Sequence, residues 1–291
     1  ARYYYSLETE EDNRKALDYY LQYIEYNPKD TDTLLHIGLI YESGLGVPLN
    51  IDLARRYYER AAEQDETGMA YNFLGGTYMN DEETESNERK AVHYFQKAIE
   101  LGNTNAMFRI SYYLHNGKGG LQVDIPREIE LLTEASKRGN HQATYRLGLL
   151  FEDNESGMAQ NLELSVKYFQ LAADNGILAA INKMGELYLF GEVIPANLTK
   201  AISCFTAASE QGYGKASYWL GRLHTDGIGQ LEKDTQKAMN YYRKAIEQGY
   251  EEAREWMEQL QKNLVDETIT DIEIPQDKSD EELYKEAKNA L

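Results

Sequence analysis

A repeat of 36 or 37 residues runs through this sequence and constrains its fold more than any other feature. Segments such as LARRYYERAA (53–62) and KAMNYYRKAI (237–246) open near a small residue and carry an aromatic pair three and four positions later. The residues that open the successive copies are Ala54, Ala91, Glu128, Ser165, Ala201 and Ala238. A period of this length is typical of arrays in which each unit stacks on its neighbours.

A glycine recurs with the same period in a second element, in segments such as IGLIY and LGRLH. Both elements space their apolar residues at i, i+3, i+4 and i+7, which predicts two amphipathic helices per repeat. A glycine inside a helix costs about 1 kcal/mol relative to alanine, so its recurrence predicts a close contact between helices. We expect the aromatic pair of the second helix to fill the space between helices. The positions of this second series are Gly38, Gly75, Ser111, Gly148, Gly185 and Gly221.

The repeat resembles the Sel1-like repeat, a relative of the tetratricopeptide repeat, in six copies over about residues 31–249. The resemblance rests on the pattern A-x-x-x-L-G-x-L-Y-x-x-G-x-G-V, then A-x-x-Y-Y-x-x-A-A and a closing glycine. It implies an all-α, right-handed α-solenoid whose first helices line a concave face and whose usual role is to bind other proteins. The closing glycines are predicted to end their helices in the left-handed conformation; they are Gly102, Gly139, Gly176, Gly212 and Gly249.

The period also predicts how the chain is organised. We expect one solenoid over residues 1–264, with a partial repeat at 1–30, six repeats at about 31–249 and a terminal helix at 250–264. In the partial repeat, the residues predicted to form the packing stripe of a second-type helix are Ala16, Tyr19, Tyr20 and Tyr23.

An acidic segment, 265–291, follows the predicted solenoid. Ser279 and Glu282 form a capping box that predicts a helix near 280–290, and the stretch 268–275 alternates as an extended segment does. One interpretation is a cap that folds back onto the solenoid, which we favour, and the other is a disordered acidic tail.

The net charge limits the kind of partner. Aspartate and glutamate number 49 against 30 lysines and arginines, giving a formal charge of −19. This charge makes nucleic acid or an anionic membrane surface an unsuitable partner and fits a basic protein or peptide better. The alternative is that the charge only keeps the molecule in solution.

Apolar runs in the sequence are too short for a membrane span. None reaches the roughly 18 residues that a span needs, so we predict no direct membrane insertion. The sequence starts at Ala1 and not at methionine, which leaves room for a signal peptide removed upstream, and the compartment stays open.

The sequence contains no recognisable catalytic or metal-binding motif. The five histidines lie in different repeats without ligand spacing, and Cys204 is the one cysteine and is expected to be a buried, inert thiol. We therefore predict no metal, no cofactor and no enzymatic activity.

Positions that packing does not require are the candidates for binding. Relative to the glycine of the first helix, −3, +1 and +4 share one face, which in tetratricopeptide proteins is the concave groove. By that resemblance, asparagine there binds a peptide backbone through its amide, and tyrosine offers rigid area with a polar tip. For Phe108 and Tyr145 the alternative is packing against the next repeat. The predicted partner-binding residues are Asn72, Phe108, Tyr112, Tyr145, Asn182, Glu186, Tyr218 and Arg222.

The third repeat departs from the pattern, with Ser111 in the glycine position and Glu128 in the small-residue position. Two interpretations follow. Either this repeat is a loose joint, or Glu128 turns toward a partner or a nearby cation such as Arg127.

Two functions of different classes fit the sequence. The first is a scaffold or adaptor that binds a partner protein or peptide on the concave face. The alternative is an inhibitor or immunity-type protein whose acidic surface blocks a basic enzyme. An inhibitor should bind one enzyme and abolish its activity, whereas an adaptor should bridge two partners.

Overall fold

A computed structural model describes residues 9–153, 160–228 and 231–270 of the chain, and across these ranges every regular element is an α-helix. Helices pack in pairs along the chain, which confirms the predicted all-α solenoid of helix-pair repeats. The chain divides into two compact units, Ala1–Ile177 and Leu178–Leu291, and each is described by itself. The helix predicted near 280–290 lies outside the described residues.

The first unit consists of a leading second-type helix, α1, and four repeats, in which even-numbered helices are the first helix of a pair and odd-numbered ones the second. The helices that the structure describes in this unit are α1 (Glu10–Tyr26), α2 (Thr31–Ser43), α3 (Ile51–Ala62), α4 (Met69–Met79), α5 (Glu85–Glu100), α6 (Thr104–Asn116), α7 (Ile125–Lys137), α8 (His141–Glu152) and α9 (Leu162–Asp174).

The second unit continues the same alternation. Its described helices are α10 (Leu178–Phe190), α11 (Leu198–Glu210), α12 (Gly214–Asp226), α13 (Thr235–Glu247) and α14 (Ala253–Thr270). The last helix continues past 264, where the sequence predicted its end, and it includes the first three residues of the stretch expected to be extended. Threonine and isoleucine in the stretch 268–270 are tolerated in a helix, so alternation alone was a weak strand signal there.

Side-chain caps begin most of the described helices, and two of them also join neighbouring repeats. Asn103 accepts a hydrogen bond from the Ala106 amide at 3.0 Å, and its Nδ2 donates to the Thr67 carbonyl of the preceding repeat at 3.2 Å. Asn140 repeats both roles, with Nδ2 donating to the Thr104 carbonyl at 3.1 Å. At the other end of the repeat the closing glycines all have positive φ, between 80° and 91°, as predicted.

Only the second member of each aromatic pair is fully buried. Tyr58 is 0% exposed, whereas Tyr57 is half-buried and stacks on Tyr41 with ring centroids 6.0 Å apart. Position i+4 of the second helix therefore carries the core ring, and position i+3 lies beside it at the edge. The equivalent fully buried rings are Phe95, Phe169, Phe205 and Tyr242.

The glycine of each first helix lies directly against this buried ring. A Cβ atom added to Gly148 would lie 2.6 Å from Cδ1 of Phe169, well inside contact distance, and the glycines at the equivalent positions meet their rings in the same way. In the third repeat the ring is replaced by Leu132, which is fully buried. Ser111 is accommodated there because the smaller side chain opposite leaves room for its Cβ.

Substituting Gly148 with alanine should lower the free energy of unfolding by about 1–3 kcal/mol through overpacking, despite the better helix propensity of alanine. Gly76→Ala is the matched control, since the nearest atom to its Cβ would be 3.8 Å away. That control should be neutral or stabilising by up to about 1 kcal/mol. Adding Phe169→Leu, which copies the third repeat, should make the double variant cost less than the sum of the two single changes. Additive costs in denaturant titrations would contradict this account.

The register of α1 differs by one residue from the sequence prediction. Its buried apolar residues are Leu17 and Ile24, which lie 37 residues before Ala54 and Ala61, and Tyr19 is 71% exposed. The prediction aligned Ala16 with the small-residue position and was wrong, because this helix carries leucine there. The buried positions of α1 are thus those that the 37-residue period predicts, although a larger residue occupies one of them.

Candidate functional site

The first unit carries an open groove of about 900 Å³. All of its lining residues belong to the first helices of three consecutive repeats, α4, α6 and α8, and the middle helix α6 contributes the largest number. The groove therefore lies on the first helices, which also carry the predicted binding residues.

Three of the predicted binding residues line this groove: Asn72, Phe108 and Tyr112. Phe108 is half-buried, and besides lining the groove it packs against the core cluster of the first unit. Tyr112 is 40% exposed. Tyr145 is not among the lining residues, and its ring packs on that of Phe169 with centroids 5.6 Å apart.

Asn72 presents an unsatisfied hydrogen-bond acceptor. Its side chain is only 7% exposed, and its Oδ1 has no hydrogen-bond partner among the described residues. Buried polar atoms are paired in the great majority of cases, and leaving one unpaired costs about 1–3 kcal/mol. An unpaired acceptor in a groove is a position at which a bound ligand could donate a hydrogen bond.

Arg109 lines the same groove and was not found from the sequence. It forms no salt bridge with any acid in the part of the chain that the structure describes, and its Nη1 lies 3.9 Å from the Met79 sulfur. Burial lowers the pKa of Arg109, and the negative charge of the Glu42 carboxylate partly offsets this effect. The available signal was a long cationic residue two positions before the glycine slot in three successive repeats: Arg109, Arg146 and Lys183.

Glu128 explains the departure of the third repeat from the pattern. Its carboxylate is fully buried and bridges two residues of the groove lining: His115 Nδ1 lies 3.0 Å from Oε2, and Arg146 Nε donates to Oε1 at 3.1 Å. Arg127, the cation suggested from the sequence, pairs with Glu130 instead. Arg127 precedes Glu128 directly and so points to another side of the helix.

The charge of the groove is opposite to that of the whole chain. No lining residue is acidic, whereas Arg109 and Arg146 both contribute guanidinium groups. Arg146 is neutralised by Glu128 and Arg109 is not. A locally cationic surface therefore lies on a protein with a net charge of −19.

In the second unit the remaining predicted residues form two clusters. Glu186 Oε1 accepts hydrogen bonds from Asn182 Nδ2 and Trp219 Nε1, both at 2.9 Å, and lies 2.8 Å from Lys215 Nζ. The Oδ1 atom of Asn182 is buried and has no partner among the described residues.

The second cluster is aromatic. Tyr218 is 9% exposed and accepts a hydrogen bond from Arg222 Nη1 at 3.0 Å, and the Arg222 guanidinium lies 3.8 Å from the centroid of the Trp256 ring. The Arg222 Nε atom has no partner among the described residues. Tyr218 thus belongs mainly to the core of its unit.

Other chemical features are few. In the described ranges no three side chains of His, Cys, Asp or Glu are grouped so that they could hold a metal ion. The Cys204 thiol is half-buried, less than expected, and burial raises its pKa. None of the described helices combines the length and the apolar character that crossing a bilayer requires.

Helix pairs stacked in series, with a groove on the first helices, define an α-solenoid of the tetratricopeptide type. The family model described as Sel1 repeat matches seven segments of the chain, and the chain belongs to this family. Proteins built from Sel1 repeats are generally non-catalytic scaffolds for protein–protein interaction. The matched segments are 1–22, 32–66, 68–103, 104–140, 141–177, 178–213 and 214–250.

Known proteins resemble the chain over parts of their length. The Sel1-repeat-containing protein YjcO of Escherichia coli (strain K12) is 33% identical over 78 residues, which cover 26% of this chain and 34% of that protein. Protein sel-1 homolog 2 of Rattus norvegicus is 40% identical over 70 residues, covering 24% of this chain and 10% of the rat protein. The chain thus matches about a third or less of the length of these relatives.

A solved structure supports the fold over most of the chain. The crystal structure of a Sel1 repeat protein from Oxalobacter formigenes superposes with a TM-score of 0.72 and 22% sequence identity. The match covers 82% of this chain and 99% of that one. At this level of identity the similarity concerns the fold.

Proposed function

We propose that this chain is a protein–protein interaction scaffold and that the groove on α4, α6 and α8 binds an extended segment of a partner protein. The observation that carries the proposal is the buried Oδ1 of Asn72, which lines the groove without a partner. A main-chain N–H of a bound peptide would supply the missing donor and recover the cost of the unpaired acceptor.

The lining also provides apolar area for such a segment. Phe73 and Phe108 are half-buried, and Tyr112 is 40% exposed with its hydroxyl accepting from Lys118 Nζ at 3.0 Å. Aromatic side chains with few rotatable bonds contribute contact area at low entropic cost. A cavity of about 900 Å³ spread over three helices suits several residues of an extended peptide.

The net charge suggested a basic partner, whereas the groove lining favours a different one. A basic peptide would bring further positive charge to Arg109, which has no acidic residue beside it in the groove lining. If a basic partner binds this protein, the acidic surface outside the groove is the place for it. The inhibitor hypothesis depends on that acidic surface and is therefore separable from the groove by mutation.

Selection from a random peptide display library on the unmutated chain tests the proposal. Peptides that bind the groove should bind Asn72→Ala about 2- to 10-fold more weakly, because one hydrogen bond is lost. The free energy of unfolding of the variant should stay unchanged or rise, since the substitution removes an unsatisfied buried acceptor. Binding is measured by fluorescence anisotropy and stability by denaturant titration.

Two tyrosine variants complete this test. Tyr112→Ala should weaken the binding of the same peptides. Tyr19→Ala, which removes an exposed tyrosine on α1, should leave their binding unchanged. Selected peptides that bind all three variants as tightly as the unmutated chain would show that the groove is not the binding surface. A single basic enzyme inhibited with one-to-one stoichiometry, independent of Asn72, would favour the inhibitor instead.

A further inference from the structure

We propose that the partner segment carries an aspartate or glutamate side chain that binds the guanidinium of Arg109, beside a main-chain N–H that binds Asn72. This inference rests on the proposed peptide-binding function and specifies the chemistry of its ligand. The occupant is an acidic side chain within an extended segment of another protein.

Arg109 differs from the partly buried arginines near it because it has no anionic partner within the described ranges. Arg146 is paired with Glu128, and Arg55 is paired with Asp81 at 2.7 Å. In the described ranges the side-chain hydrogen-bond partner of Arg109 is the Met79 sulfur, although burial disfavours the charged form of the arginine. Removing a charge from water without pairing it is costly, and a bound carboxylate would supply the missing partner with two parallel hydrogen bonds.

Neighbouring acids on the packed elements are already engaged. The Glu42 carboxylate accepts a hydrogen bond from the Tyr58 hydroxyl at 2.6 Å, and Glu128 is shared by His115 and Arg146. Neither carboxylate lines the groove. The described part of the chain thus supplies no carboxylate to pair with Arg109, and we propose that a partner segment supplies it.

The two unsatisfied groups lie close enough for one short peptide segment to bind both. A Cβ atom on Gly76 would lie 3.8 Å from Arg109 Nη1, so the guanidinium reaches across from α6 to this position on α4. Gly76 follows Asn72 by four residues, and such positions are about 5–6 Å apart on one helix face. An acceptor for a peptide N–H and a donor for a carboxylate are thus adjacent.

The position of Arg109 favours an interior side chain over a terminal carboxylate. It extends from the middle helix, and the lining continues on α4 on one side and on α8, through Gln142 and Arg146, on the other. A chain terminus bound at Arg109 would leave one half of the groove empty. An interior acidic residue allows the segment to occupy both halves.

A display library whose peptides are fused to the phage through their C-termini tests this inference, because its random segments have no free terminal carboxylate. Selected peptides are synthesised with acetylated and amidated ends. They should share an Asp or Glu, and changing it to Gln or Asn should weaken binding to the unmutated chain by about 10- to 100-fold, the range for a charge-assisted hydrogen-bonded contact. Because this arm alters only the peptide, it does not depend on whether a protein variant folds.

Arg109→Gln should weaken the binding of the acidic peptides by the same factor. It should not further weaken the binding of the peptides in which the acidic residue has been replaced by Gln or Asn. Arg56→Gln is the matched control, since Arg56 is exposed on α3, outside the groove, and its loss changes the net charge equally. The Arg56→Gln variant should bind the acidic peptides with the same affinity as the unmutated chain at about 0.15 M salt.

The outcomes separate the two proposals. Peptides that need Asn72 and Tyr112 but tolerate replacement of every acidic residue would overturn the role of Arg109 and leave the peptide-binding function standing. Binding that requires a free terminal carboxylate in a second library, and is lost on amidation, would overturn the interior position. Absence of any groove-dependent peptide from both libraries would overturn both proposals.

Discussion

Replacing Tyr58 with alanine should lower the free energy of unfolding by about 3–5 kcal/mol, the range for truncating a large buried ring. The ring is 0% exposed and fills the space opposite Gly38, and its hydroxyl donates a 2.6 Å hydrogen bond to Glu42. The loss therefore combines a cavity with an unpaired carboxylate. Denaturant titration monitored by far-ultraviolet circular dichroism measures the change.

Tyr57→Ala is the matched control for this prediction, because it removes the same side chain from the adjacent position of the same helix. Tyr57 is half-buried and stacks on Tyr41 at the edge of the pair. Its replacement should cost no more than about half as much, since a partly exposed ring loses less buried area and a stacked pair adds only about 0.5–1.5 kcal/mol. Equal costs at the two positions would contradict the assignment of the core ring.

Replacing Arg146 with methionine should also cost about 3–5 kcal/mol, because it leaves the fully buried Glu128 carboxylate without its arginine. Arg138→Met is the control. Arg138 pairs with Glu134 through side chains that are 51% and 43% exposed, and such surface pairs contribute about 0–1 kcal/mol.

A second variant distinguishes the loss of the ion pair from the loss of packing. Glu128→Met combined with Arg146→Met removes both charges while keeping apolar volume, and buried pairs replaced in this way often retain or gain stability. The double variant should therefore be more stable than Arg146→Met alone, although it carries one more substitution. A double variant that is less stable would show that the carboxylate is not stabilised mainly by Arg146.

The repeat made most of the fold predictable. Helix pairs and closing glycines follow from patterns within about ten residues, where helical spacing decides which residues share a face. Prediction went wrong where a local pattern was ambiguous. In α1 a leucine occupies the small-residue position, and neighbouring tyrosines fitted a register shifted by one residue. The residue types therefore predicted the wrong register, whereas the 37-residue period gives the correct one.

The candidate site was only partly accessible from the sequence. The face of the first helices was predicted, and Asn72, Phe108 and Tyr112 line a groove on it within the first unit. Arg109 was missed because a cation on a helix gives no sign in the sequence of whether an acid will reach it. Glu128 was recognised as an exception, but its partners His115 and Arg146 lie 13 and 18 residues away and on other helices.

The sequence by itself determined the family and the all-α repeat, because these depend on spacing along single helices. Only the tertiary structure decided which ring enters the core, which carboxylate neutralises Arg146 and which polar groups remain without partners. Those outcomes depend on distances between helices of successive repeats, and a change of one residue or one rotamer alters them while the periodicity stays the same.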